Sequence, residues 1–472
     1  MAVALSPAPR IASLNAHALR RLRELLPPDR LLTDPSDCLV YGYDNSRRIA
    51  LPQAVAMAAG TEEIQPVVAV CNEFDISLVV RGRGTNTTGA AVPVAGGIVL
   101  SLERMNRILR CSAADRMLEC EAGALNGEVQ SAASAHRLFW APDPTSAGYS
   151  SVGGNLACNA GGPRAVKYGT ARDNVLGLSA ITGAGQAIHT GTKTTKGVVG
   201  YDLTRLLCGS EGTLAIITRA TLKLLPALPA RRTLRALYRD VPAAAAAVAR
   251  IMSQADIPCA LEFFDGDAVR LAQQYRDCGL SSDAGALLLI DIDGHAEDIG
   301  RAQQAVADSA SGAGMIELRA AATAEEANTL WAARKALSPA LRGLAPKKVN
   351  EDVAVPVSRL PELVSGVHEI SGRHALRIVC FGHAGNGNLH VNLLADPEDP
   401  TQMKAIEAAL HEVFRLVLAL EGTISGEHGV GIEKRDYVGW EIDRTTLQLM
   451  RDLKKVFDPK GILNPGKALP PE

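Results

Sequence analysis

Arg81-Gly-Arg-Gly-Thr-Asn-Thr-Thr-Gly89 follows directly on the apolar run Ser77-Leu-Val-Val80. The apolar run reads as a short β-strand, and the glycines that follow end it. Gly82, Gly84 and Gly89 permit positive φ and close backbone approach, so successive N–H groups can turn inward as an anion nest. Thr85, Asn86, Thr87 and Thr88 add neutral donors. The pattern suits a phosphate cradle; the alternative is an ordinary glycine-rich surface turn. It is not a Walker A loop, because no Lys-Ser/Thr follows the last glycine, and no helix signal follows as a Rossmann loop needs.

The surrounding texture, from Ile49 to Pro226, is β-rich with glycine clusters. Val67–Val70 and Ser77–Val80 read as strands of α/β units with a helix over 61–74 between them, and 97–102 and 214–225 as further strands. Two more stretches are rich in small residues. Pro142-Asp-Pro-Thr-Ser146, Ser151-Val-Gly-Gly-Asn155, Asn159-Ala-Gly-Gly162 and Lys167-Tyr-Gly169 form a long run with little to fill a core. A loop of that length without function is uncommon. Gly209-Ser-Glu-Gly-Thr-Leu-Ala-Ile-Ile217 places a carboxylate between glycines at the start of a buried strand. Residues 12–30 read as a helix with Leu14, Leu19, Leu22 and Leu25 on one side, ended by Pro27-Pro28.

After Pro226 the texture changes to two successive β-α-β patterns: strands at 231–240, 259–264, 285–294 and 314–321, with helices at 241–256 and 295–310. This order predicts a ferredoxin-like, largely antiparallel sheet. Helices are expected at 324–342, 359–371, 400–420 and 443–457, the last with Leu447, Met450, Leu453 and Val456 inward. The expected division is 1–226, 227–422 and 423–472.

The chain has 472 residues, with 49 Lys+Arg against 51 Asp+Glu. That balance argues against a general nucleic-acid binder. Hydrophobic residues make up 47% and aromatic residues 4%, so the core must be built from small side chains. No run of about 18 apolar residues suggests a membrane span, and the first 26 residues do not read as a signal peptide because the basic residues follow the apolar stretch. The nine cysteines form no CxxC pair, which fits reduced thiols in a cytoplasmic protein and disfavours an iron–sulfur cluster.

The C-terminal third carries a second pattern. Gly382-His383-Ala-Gly-Asn-Gly-Asn-Leu-His390 sets two histidines at the ends of strands joined by a Gly/Asn turn, and Gly426-Glu427-His428-Gly429 adds an acid and a third histidine. Two His and one carboxylate with an open position form the ligand set of a catalytic divalent site, usually zinc, with manganese and iron(II) also suited. His383, His390 and Glu427 are the candidate ligands, and His428 remains as an acid/base. The alternative is a set of hydrogen-bonded structural histidines. Farther upstream, Trp331-Ala-Ala-Arg334 with Ser338 puts Arg334 and Ser338 on one helical face. A guanidinium there can grip a carboxylate, or it can be an exposed arginine beside Lys335.

These features, in this order from about residue 40 to 470, resemble the FAD-binding vanillyl-alcohol oxidase superfamily, and within it the D-2-hydroxy-acid dehydrogenase branch. The resemblance implies an α+β fold: a two-subdomain FAD-binding domain, a ferredoxin-like substrate domain and a C-terminal helical segment. It implies that Arg81, Gly82, Gly84, Thr85, Asn86, Thr87 and Gly89 hold the FAD pyrophosphate. Pro142, Ser146, Gly153, Gly154, Asn155, Asn159, Gly162 and Tyr168 would line the cofactor, and Glu211, Ile217 and Asn464 would complete its site. Thr85 stands where many relatives carry a flavin-tethering histidine, so the FAD should be non-covalent. The resemblance further makes His383, His390 and Glu427 metal ligands, His428 the catalytic base, Arg334 the carboxylate clamp, and Ser338, Asn392 and Lys348 substrate contacts. Asn386 stands where many members have Asp. The implied activity is oxidation of a D-2-hydroxy acid of the D-lactate or D-2-hydroxyglutarate class to the 2-keto acid. The hydride passes to the flavin, and an electron-transfer flavoprotein or a quinone then takes the electrons. The alternative is a non-catalytic FAD-binding electron-relay subunit. A homodimer is the expected assembly.

Overall fold

The structure is a computed structural model that describes residues 14–471 apart from Arg276, Cys278 and Ser282. The signal-peptide reading falls largely on residues 1–13, and it and Cys278 lie outside the described residues. The chain forms two compact units: the first takes residues up to Ala160, Thr170–Ala227 and His428 onward, and the second Gly161–Gly169 and Leu228–Glu427. Among the described residues no helix is long and apolar enough to cross a membrane, and the eight described cysteines are free thiols.

The first unit holds two principal sheets. One contains β1 (Leu31–Leu32), β2 (Ala54–Met57), β3 (Leu78–Arg81) and β4 (Ile98–Ser101) in the order β1-β2-β4-β3. β2 and β3 both run parallel to β4, and β2 and β4 are buried along their whole length, as befits parallel strands covered on both faces. The helix Thr61–Glu73 makes the crossover from β2 to β3. Val67–Val70 lies inside that helix and not in a strand: its apolar run is the core-facing stripe of an amphipathic helix, a period that four residues cannot distinguish. The second sheet contains β5 (Ile108–Ser112), β6 (Met117–Glu121), β8 (Val175–Thr182), β9 (Ala187–Gly191) and β10 (Ala215–Lys223), ordered β5-β6-β10-β8-β9 and antiparallel throughout. The short strands β7 (Leu138–Phe139) and β11 (Leu225–Pro226) pair separately. The end of the chain returns to this unit. Leu463 bridges Leu78 in parallel, and Phe457, Ile462 and Leu463 join the core formed by both sheets.

The second unit is built on one seven-stranded sheet. Its strands are β12 (Ala230–Tyr238), β13 (Ala260–Asp265), β14 (Ala286–Gly294), β15 (Met315–Ala320), β16 (Lys347–Ala354), β17 (Arg377–Gly382) and β18 (Asn388–Ala395), ordered β15-β12-β14-β13-β17-β18-β16. All neighbours are antiparallel. The first four strands have the ferredoxin-like order, fourth-first-third-second, with the crossover helices Val241–Met252 and Ile299–Ala310. Asp240 caps the first of these by accepting from Ala243 N at 2.9 Å, and Ala244, Ala245 and Ala247 are buried, so small side chains let that helix approach closely. The last three strands extend the sheet beyond β13. The helix Ala324–Ala340 packs Leu330, Ala333 and Leu337 into the cluster of Phe264, Val379 and Phe381, and so covers the sheet face on which the candidate residues gather.

One helix departs from expectation. In Arg444–Phe457, Leu447 is buried, but Leu453 is 39% and Val456 73% exposed; the buried stripe is narrower than the apolar pattern implied.

Candidate cofactor and metal sites

In the first unit β3 ends at Arg81, and the glycine loop follows. Asn86 organises the loop: its Oδ1 accepts from Thr88 N (2.8 Å), Thr88 Oγ1 (2.8 Å) and Ala90 N (3.1 Å), and its Nδ2 donates to the His428 carbonyl at 3.0 Å. Arg81 is nearly buried beneath the loop and donates to the carbonyls of Tyr43 (2.7 Å) and Val40 (3.4 Å). A Cβ on Gly84, whose φ is +64°, would stand 2.1 Å from Arg81 Nη2. Glycine takes that backbone conformation at no steric cost, and a side chain there would have to displace the Arg81 guanidinium.

The other residues read from the sequence as cofactor-lining take varied places. The Pro142 carbonyl accepts from Asn126 Nδ2 at 3.0 Å, and the Ser146 carbonyl accepts from Ser150 N at 2.8 Å. Gly153 and Gly154 start the short helix Val152–Ala157, capped by Ser151, and a Cβ on Gly153 would meet Ala122 at 2.7 Å. Asn159 Oδ1 accepts from Thr170 Oγ1 and Arg172 N, both at 2.9 Å. Glu211 accepts from Val430 N (2.6 Å) and Gly431 N (2.8 Å), while burial pushes its carboxyl upward. Ile217 is core within β10. Asn464 is a clip: Oδ1 accepts from Val80 N at 3.0 Å and Nδ2 donates to the Glu211 carbonyl at 2.5 Å. Gly162 and Tyr168 belong to the second unit, where Tyr168 Oη donates to Asp293 Oδ2 at 2.5 Å.

Among the described residues of this unit five side-chain atoms, Thr61 Oγ1, Thr87 Oγ1, Ser150 Oγ, Asn155 Nδ2 and Lys467 Nζ, are buried without a hydrogen-bond partner. Each such group costs about 1–3 kcal/mol while unsatisfied. Two glycine-rich stretches with unsatisfied donors fit a large polar cofactor carrying phosphates.

In the second unit the β16–β18 register sets Asp352 opposite His390 and Asn350 opposite Asn392, and β17 sets Phe381 opposite His390. Directly opposed residues share a face, so His390, Asn392, Asp352 and Phe381 line one side of the sheet. His383 leaves the end of β17 on the Gly382 turn. Its Nε2 stands 3.1 Å from Glu427 Oε1, and His390 Nε2 stands 3.8 Å from the same oxygen. One ligand atom from each of His383, His390 and Glu427 lies within 4.8 Å of the others.

The surroundings of this set were not read from the sequence. Glu262, fully buried on β13, accepts from His383 Nδ1 at 2.6 Å through Oε1 and from Arg334 Nε at 2.5 Å through Oε2. Burial alone would raise the Glu262 pKa; Arg334 and His383 overcome it and hold the carboxyl down to about 2. Burial likewise opposes charge on His383, but the Glu262 and Glu427 carboxylates carry its pKa up to about 10. Asp352, also fully buried, accepts from Glu427 N at 2.6 Å and Ser425 Oγ at 3.4 Å, which fixes the segment presenting Glu427. A carboxylate on the remote nitrogen of a ligating imidazole is the usual support of a metal-bound histidine. Asn386, by contrast, is exposed; the supporting carboxylate comes from β13.

Among the expected substrate contacts, Arg334 is almost buried, is tied to Glu262 and lies 4.9 Å over the Phe381 ring. Ser338 accepts from Lys348 Nζ at 2.7 Å. Asn392 Nδ2 donates to the carbonyls of Val379 and His390, and its Oδ1 is buried without a partner. The second unit therefore brings Glu262, Arg334, His383, His390 and Glu427 into one connected group. His428, the next residue, begins the return of the chain to the first unit.

Residues 52–191 match the family described as FAD binding domain, and residues 228–468 the family described as FAD linked oxidases, C-terminal domain. The chain is 39% identical over 430 residues to glycolate oxidase subunit GlcD of Bacillus subtilis, covering 91% of this chain and 92% of that one. It is 34% identical over 468 residues to the D-lactate dehydrogenase of Anaerostipes hadrus, covering 95% and 96%. The solved structure of p-cresol methylhydroxylase with substrate bound superposes with a TM-score of 0.81 at 18% identity, covering 96% of each chain, which speaks to fold alone. A parallel-sheet glycine cradle, a ferredoxin-like sheet and these matches together make the chain a member of the FAD-linked oxidase family, an oxidoreductase.

Proposed function

We propose that this protein oxidises a D-2-hydroxy acid of the D-lactate or D-2-hydroxyglutarate class to the 2-keto acid, using non-covalent FAD and a divalent metal, zinc or else manganese or iron(II). The observation that carries the reading is the His383–His390–Glu427 set with Glu262 on the far nitrogen of His383. A structural histidine pair has no need of three convergent ligand atoms.

FAD, when bound, supplies the two-electron acceptor, and a divalent cation on the three ligands favours the ionised form of a hydroxyl. The chain's own residues do the rest. Arg334 grips the substrate carboxylate; its Nε–Glu262 ion pair fixes the plane of the guanidinium, and the other N–H groups of the fork face the substrate. Asn392, Ser338 and Lys348 set the pocket around the side chain. His428, adjacent in sequence to the ligand Glu427, takes the hydroxyl proton, and the α-hydrogen leaves with its electron pair for the flavin. One C–H and one O–H bond break as the carbonyl forms, and FAD, when bound, would be the acceptor of the two electrons. The electrons then pass to an electron-transfer flavoprotein or a quinone.

The second reading, a non-catalytic relay subunit, is favoured by the relative named as a glycolate oxidase subunit. The two separate in one experiment: anaerobic visible spectra before and after adding D-lactate, glycolate and D-2-hydroxyglutarate. The enzyme bleaches, a chelator abolishes the bleaching without releasing FAD, and H428A bleaches ~10²-fold more slowly. A flavin that stays oxidised with all three acids supports the relay, and bleaching that survives metal removal defeats the metal role.

A further inference from the structure

The first unit buries a group of charges that does not balance. Asp44, Arg81, Glu211, Lys434 and Lys467 are each 7% exposed or less, two carboxylates against three cations. The carboxylates are engaged. Asp44 accepts from Ser46 N (2.9 Å), Ser46 Oγ (2.5 Å) and Ala91 N (3.3 Å), and Glu211 accepts from Val430 N and Gly431 N. Arg81 is held by the carbonyls of Tyr43 and Val40. Lys467, 4% exposed, has an Nζ without a hydrogen-bond partner.

Its backbone is fixed on both sides. Gly466 and Ala468 have φ of +74° and +63°; the Gly466 carbonyl accepts from Arg435 Nη1 at 2.9 Å, and Ala468 N donates to the Gly431 carbonyl at 3.0 Å. Left-handed backbone at an alanine is disfavoured and persists only where the surroundings over-determine it. The same Gly431 segment lies against the glycine loop, where Ile432 N donates to the Thr88 carbonyl at 2.8 Å. A pinned turn therefore holds a buried ammonium beside the loop that carries the unsatisfied Thr87 hydroxyl. Burial pushes the Lys467 pKa down to about 7 against the pull of Asp44 and Glu211.

We infer that Lys467 is the cation that neutralises the FAD diphosphate, set within the influence of Asp44 and Glu211 and completed by the arriving anion. This rests on FAD being the cofactor. A buried cation of this kind contributes little to the cofactor-free fold and much to binding.

The test compares thermal melting of the full chain, stripped of FAD, as wild type, K467M and K467R, alone and with FAD or ADP. In wild type both ligands raise the melting temperature. K467M is expected to melt no lower than wild type without ligand, and to bind both FAD and ADP roughly 30-fold or more weakly; K467R should recover most of the affinity. An undiminished FAD response in K467M, or a lower melting temperature in the absence of ligand with normal affinities, overturns the inference in favour of a structural lysine. Weakened FAD binding with unchanged ADP binding overturns the diphosphate assignment and moves the charge to the flavin end. A wild type that ignores FAD defeats the cofactor reading itself, a separate result.

Discussion

The two units bury charge in opposite ways. In the second, Glu262, Arg334, His383 and Glu427 satisfy one another through contacts of 2.5–3.1 Å. In the first, Lys467 lies beside two acids already committed to backbone N–H groups, and its Nζ has no hydrogen bond. The second group is preorganised: its geometry exists before any ligand arrives, and a cation at His383 Nε2 exchanges for a proton. The first group is incomplete, and its missing member is an anion. An incomplete buried site costs stability that binding returns, so the first unit should respond to its ligand more strongly than the second.

The strongest challenge to that contrast is Glu427→Gln, which removes one anionic ligand. Retained metal and the rate of substrate-driven flavin reduction should both fall, the latter by ~10³-fold or more, while bound FAD, measured by its absorbance, stays constant. Loss of FAD together with metal would mean the two groups are not independent. Glu262→Gln sharpens the same point. It keeps the shape of the side chain but withdraws the charge shared by His383 and Arg334. Metal affinity, read by competition with a chromogenic chelator, should weaken by ~10–100-fold, and the raised His383 pKa should drop in an NMR titration of the metal-free protein. The smallest effect is expected from Gly84→Ala in the first unit. Strain at φ +64° and contact with Arg81 should cost about 1–3 kcal/mol in chemical unfolding, with metal retention unchanged.

Much of this was legible in the sequence because it rests on local pattern. The glycine loop after Ser77–Val80 announces a turn, with Gly84 and Gly89 in the left-handed region that glycine favours. The two β-α-β patterns fix the ferredoxin-like strand order, and His383, His390 and Glu427 announce themselves by residue type and glycine flanks. What stayed hidden depends on long-range placement. Glu262 lies 121 residues from His383 and 72 from Arg334; in Ala260–Asp265 it reads as one of two acids in an otherwise apolar strand, with no sign of which strand lies beside it. The strand Lys347–Ala354 went unread because five of its eight residues are polar or charged, a composition shaped by the face it contributes and not by β-propensity. Lys467 sits in a terminal run of turn residues, where a lysine is ordinarily solvated, and only the packing of Gly431 and the glycine loop encloses it. Val67–Val70 misled in the other direction, since a helix buried on one side and a strand buried on both look alike over one turn.

The parallel bridge between Leu78 and Leu463 bears on how the protein is made. The strand edge beside the glycine loop, the Asn464 clip on Val80 and the turn that holds Lys467 are all completed by residues that the ribosome adds after the whole of Leu228–Glu427. The sheet of the second unit, drawn wholly from residues 230–395, can assemble on the nascent chain. The nucleotide-binding half must wait, half-finished and with Leu78 lacking its neighbour, until Leu463 has been added. Cofactor loading then follows synthesis of the second unit, and a chain stalled or clipped before Ile462 is expected to pair a folded second unit with a first unit that lacks the Leu463 bridge and the Asn464 clip.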